Sequence, residues 1–215
     1  MKTTITVPEN LNEISLGQYQ KYIEVTKDLE GEFLMQRTIE ILCSISFSRV
    51  VLITHKDVKE VYTHLLKLLS SEVEFKHRFK IKSQEFGFMP DLEEITSGEF
   101  ADLTAYAGKP EDMHKAMAVM FRPITKRVGE KYDIFPYKGT KEFSDVMRFM
   151  PLGIALGAFG FFLNLAKELM SAIQYYSNKE LTNLMEVQLP ISVKSGVSTK
   201  TFTPSQKETL ETLMK

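Results

Sequence analysis

The chain has little of what the readily legible chemistries require. Its one cysteine, Cys43, can form no internal disulfide, and it stands among Ile41, Leu42 and Ile45 with no cationic sequence neighbour. Such a cysteine reads as a small buried apolar residue in a reducing compartment, not as a nucleophile. The four histidines, His55, His64, His77 and His114, include no pair at the i, i+4 spacing of a helical zinc site. A net charge of -1 lacks the positive excess that binds nucleic acid by bulk electrostatics. Gly153, Gly157 and Gly160 have neither the spacing nor the Lys-Ser/Thr pair of a phosphate loop. Asp91, Glu93 and Glu94 are too close in sequence to face one another as paired acids. No internal repeat or long heptad seam is present. The expectation is a protein with no catalytic, cofactor-binding or metal-binding residues, no small-molecule substrate and no specific nucleic-acid partner. The N-terminus, MKTTITVPENLNEI, lacks the apolar core and small-residue cleavage site of a signal peptide, and the expectation is a chain made and used in the cytoplasm.

What is present is one long apolar stretch. From Phe149 to Ala166 no charge interrupts the chain, and Pro151 suits the first turn of a helix. The length is near the lower limit for a membrane span, but three glycines and Asn164 argue against one. Gly153 and Gly157 share a helical face, where absent side chains let another element approach closely. The stretch reads as a central core helix whose amphipathic extension reaches Tyr176.

Other helices follow from caps and spacing. Ser15 is a plausible N-cap for the helix beginning LGQYQKYI, and a strongly apolar helix runs from Glu32 to Ile45. Thr54 opens a third, with Val58, Val61, Tyr62, Leu65, Leu66 and Leu69 at spacings of three and four. Thr96 and Glu99 match a capping box, Pro110 begins a helix that Arg122-Pro123 stops, and Thr140 caps a short one. Between 73 and 90, VEFKHRFKI and EFGFMP pattern as one small β-hairpin. Residues 123–140 carry two prolines and two glycines with no helical period and read as an ordered loop. The expected fold is mainly α: a helical bundle around the central Gly-rich apolar helix, with one small hairpin and extended terminal arms. Its expected parts are an N-terminal arm over 1–14, a mainly helical domain over 15–187 with the hairpin at about 73–90, and a C-terminal arm over 188–215 that ends in a helix.

Charge is unevenly spread. Glu85, Asp91, Glu93, Glu94, Glu99, Asp102, Glu111 and Asp112 face only Lys109, whereas 122–148 carries Arg122, Lys126, Arg127, Lys131, Lys138, Lys141 and Arg148 against four acids. Such belts are either solvated or paired within one subunit, or they meet between subunits in a head-to-tail ring.

The strings GFMPDLEEITSGEFADL, KAMAVMFRPI, YDIFPYKGT and MRFMP are distinctive in combination. Over about residues 14–176 the chain resembles a conserved morphogenesis or virion protein of tailed bacteriophages that infect Bacteroidota, the crAss-like phages among them. The resemblance implies a role in the virion or its assembly, not an enzymatic activity, and carries over no catalytic residues. Two readings follow: a subunit of a homo-oligomeric ring in the neck or tail of the virion, bound to other neck or tail proteins, or a tail assembly chaperone that leaves before the particle is complete. A membrane-active protein is a third, resting on 149–166 alone.

Overall fold

In the computed structural model, which describes residues 5–91, 94–164, 167 and 171, the first helix is α1 (Leu16–Thr26), opened by a reciprocal capping box between Ser15 and Gln18. Helix α2 (Gly31–Leu42) packs on α1, and the short α3 (Phe47–Val50) folds back along α2. Thr54 caps α4 (His55–Leu69), which packs on α2 and buries Val58 and Leu65. Within the expected N-terminal arm, Leu11–Glu13 form a 3-10 turn that buries Leu11, and Ile14 is fully enclosed. The chain then ties its start to a distant segment. Leu16 N–H donates to the Met150 carbonyl, Gly17 N–H to that of Arg148 and Leu152 N–H to that of Ile14, each at 2.8 Å.

The second half is built on a sheet. Strands β1 (Arg78–Ile81), β2 (Gln84–Phe88), β3 (Phe121–Val128) and β4 (Lys131–Ile134) lie in the order β1-β2-β3-β4, all antiparallel. Between β2 and β3 the chain inserts α5 (Ser97–Tyr106), capped by Thr96 and Glu99, and α6 (Met113–Met120), entered through a 3-10 turn at Pro110–Asp112. A 3-10 turn at Thr140–Glu142 and α7 (Ser144–Met147) follow β4. The chain is helical again over residues 152–164, here α8.

The expected helical bundle with one hairpin is therefore corrected to a mixed α/β fold with a four-stranded antiparallel sheet. The hairpin lies where alternation placed it, but its second strand has another partner. The segment read as a loop supplies β3 and β4, with Phe88 opposite Phe121 and Phe86 opposite Pro123. The reading failed because β3 follows α6 without a connection: Phe121 is already extended, and Pro123 excludes helix from Arg122 onward. Much of the new pair is charged and exposed, so the alternation of apolar residues that marks a strand is missing there.

The core is also centred elsewhere than expected. Every residue of α6 except Lys115 is buried, and it continues into the fully enclosed Phe121. One face of the sheet meets it with an aromatic layer: Phe79 stacks on Phe86, and Phe79 and Phe88 each set an edge against Phe121. Helix α8 is buried from Leu152 to Ala158 save for a partly exposed Leu156 position. Gly153 and Gly157 serve close approach, since a Cβ on Gly157 would stand 2.6 Å from the Glu74 carbonyl oxygen. The chain divides into two compact units, Met1–Ala158 and Phe159–Lys215, and the elements above up to Ala158 form the first. Of the second, residues 159–164, 167 and 171 are described, and all are helical. The expected C-terminal arm over 188–215 lies outside the described residues.

Candidate interaction site

The sheet's second face is polar, and the course of β3 explains its shape. Pairing with β2 ends at Pro123, which has no N–H to offer. Beyond it β3 continues with β4 alone, bulged between Ile124 and Lys126, and a bulge increases local twist. The resulting ribbon turns at Gly129, whose φ of +62° suits a tight hairpin, and every residue from 125 to 131 is exposed.

A two-stranded ribbon is marginal in water by itself, and three contacts hold this one to the sheet. Tyr132 lays its ring on Gly87, where any Cβ would overlap it, and its hydroxyl donates to the Phe88 carbonyl at 2.9 Å. Burial raises the Tyr132 phenol above its ordinary range, against a smaller opposing pull from Arg78, so it remains a donor. Arg78 pairs with Glu130 at 2.6 Å and Arg127 with Glu85 at 3.5 Å. Between the curled ribbon and the segment leading into β1 lies an open cleft of about 1220 Å3, walled by Phe75, His77 and Tyr132.

The same face carries a buried ion pair. Arg122, opposite Gly87, reaches Glu99 of α5 at 2.6 Å, with side chains only 8% and 6% exposed. Desolvation pushes the Glu99 carboxyl up, but hydrogen bonds from Thr96 and the Arg122 guanidinium outweigh it and hold the acid below its usual range. The Arg122 guanidinium also lies over the Tyr137 ring, whose hydroxyl donates to Asp102. Burial first, and that bond second, push the Tyr137 phenol far above the ordinary tyrosine value.

The charge belts thus meet in part within one chain, through Arg122 with Glu99 and Arg127 with Glu85. Lys126 and Lys131 have no ion-pair partner among the described residues. The histidines are dispersed: His55 pairs with Glu32, His64 contacts the Pro8 carbonyl, His77 stacks edgewise on Phe75, and His114 is buried between Gln20 and Arg148. Cys43 is buried, and desolvation pushes its thiol up to about 11. Among the described residues no group of three or more His, Cys, Asp or Glu side chains could hold a metal ion. No described helix is long and apolar enough to cross a membrane.

Sequence reasoning missed Tyr132, Gly87 and Val128 as the residues that shape this site. The available signal was the pair of short extended runs, Ile124–Val128 and Lys131–Ile134, on either side of Gly129-Glu130. No protein-family model, no curated protein and no solved structure matches this chain.

Proposed function

We propose that this chain is a non-enzymatic structural protein of a tailed bacteriophage, a subunit of a homo-oligomeric ring in the neck or tail of the virion, assembled in the host cytoplasm. Its partners are then further copies of itself and other neck or tail proteins. The observation that carries the reading is the β3–β4 ribbon, an eight-residue strand and its return that leave the sheet at Pro123 and expose residues 125–131. A projecting ribbon held at its base is suited to contact with a neighbour, because the scaffold fixes its direction while its tip stays accessible. The sequence resemblance over residues 14–176 supplies the biological setting.

A second reading, a tail assembly chaperone not retained in the particle, is favoured by a different feature. Phe33, Val51 and Leu52 are exposed near Phe47, and Arg37 lies over both phenylalanine rings. Exposed aromatic and aliphatic groups with an arginine are the composition of a protein-binding patch. Native mass spectrometry of the full chain tests the proposal: a discrete oligomer of one subunit number is expected for the ring, and a monomer at all accessible concentrations would overturn it.

A further inference from the structure

A smaller concavity adjoins the aromatic cleft, with Lys76 on the lining of both. Its volume is about 400 Å3, and Leu11, Leu68 and Val73 supply an apolar floor, beside the polar Asn10, Asn12 and Ser71, where the N-terminal 3-10 turn faces the segment after α4. The rim is acidic: Glu9, Glu72 and Glu74 are all exposed, and none has an ion-pair partner among the described residues. Lys76 stands at its edge. The walls are fixed by close packing, since the Glu74 carbonyl presses on Gly157, and Asn12 Oδ1 would lie 2.7 Å from a Cβ on Gly153.

The ribbon tip offers charges opposite to those of that concavity, and an uncovered apolar group. Val128 is 70% exposed at its apex, an aliphatic side chain that its own fold leaves uncovered. Lys126 and Lys131 flank it, unpaired among the described residues, with Arg127 beside them. We propose that the β3–β4 tip of one copy docks in the Glu9/Glu72/Glu74 concavity of a second copy of this chain, with Val128 on the Leu11/Leu68/Val73 floor and the lysines against the acidic rim. Long lysine stems can cover apolar surface while their ammonium groups reach the carboxylates, so one insertion satisfies both the floor and the rim. The charges fix which face meets which and speed encounter, and the buried valine slows release. The inference rests on the self-association in the proposed function and not on the number of subunits.

The test uses the full chain and compares three variants by sedimentation velocity and native mass spectrometry. Lys126→Glu with Lys131→Glu, and separately Glu72→Lys with Glu74→Lys, are each expected to weaken self-association by at least about tenfold. Combining all four substitutions in one chain reverses both partners and is expected to restore it. All these positions are exposed, and circular dichroism should show each variant folded as the parent is. A chain carrying Val128→Cys and Val73→Cys should also give intermolecular disulfide ladders on oxidation, since the native thiol, Cys43, is buried. A monomeric parent would overturn the ring reading and the docking together. A parent that assembles, with either reversal harmless, the fourfold variant unrestored or the cysteine pair closing only within one chain, would overturn the docking and leave the ring reading standing.

Discussion

Tyr132 packs its ring against Gly87, and its hydroxyl donates to the Phe88 carbonyl at 2.9 Å and toward that of His77 at 3.3 Å. One residue of β4 is thereby bound to β2 across an intervening strand, and this contact sets the direction in which the ribbon projects. Gly87→Ala should push the ring away and loosen the ribbon while leaving the aromatic layer on the opposite face in place. The expected destabilisation is about 1–3 kcal/mol, with faster amide exchange over 124–134 than over α6. Unchanged exchange in that segment would show that the ribbon is held by other contacts.

The Arg122–Glu99 pair gives a second expectation. Arg122→Met alone should destabilise by about 3–5 kcal/mol, because a buried carboxylate loses its counter-charge, whereas Arg122→Met with Glu99→Leu should cost much less. Thermal melts of the two variants make the comparison. Equal losses would mean that the pair contributes through packing rather than charge.

His114 makes stability depend on pH. Its Nδ1 lies 3.0 Å from Gln20 Nε2 and its Nε2 lies 3.1 Å from Arg148 Nη2, so donors face both nitrogens. Burial lowers its pKa below the ordinary value of 6.5, Arg148 and Lys115 lower it further, and Asp112 and Asp145 oppose them. A histidine held neutral in the fold binds its proton more readily when unfolded. Its contribution is complete above pH 6.5 and is lost as the pH falls from there toward its folded pKa. The melting temperature should therefore drop between pH 7.5 and lower values, with a smaller drop in His114→Asn. Parallel pH profiles for the two proteins would contradict this account.

Much of the helical half was legible because its signals are local. Ser15, Thr54, and Thr96 with Glu99 are caps that work within four residues, and each opens a helix where the sequence placed it. The β1–β2 hairpin was legible for the same reason. The β2–β3 pairing was not, because it joins Phe88 to Phe121 across an inserted pair of helices, and no local pattern encodes that partnership. The candidate site was hidden in a similar way: Val128 sits in a charged run that reads as an exposed loop, and its surroundings depend on a glycine more than forty residues upstream. The charge belts were legible as composition, but which members pair within the chain depends on the sheet.

Gly157 tests the packing of α8. A Cβ there would meet the Glu74 carbonyl oxygen at 2.6 Å, and a backbone atom cannot swing aside as a side-chain end can. Gly157→Leu should overpack the contact and destabilise by about 1–3 kcal/mol or more. A soluble variant with an unaltered melting temperature would show that this helix does not press on the segment before β1.

The central claim is that the chain is a component of a phage particle, and mass spectrometry of purified virions tests it most directly. Particles banded from a phage that encodes this sequence should contain its peptides at an abundance near that of other multi-copy neck or tail proteins. Particles that lack those peptides, made by cells in which the protein is abundant, would contradict the account.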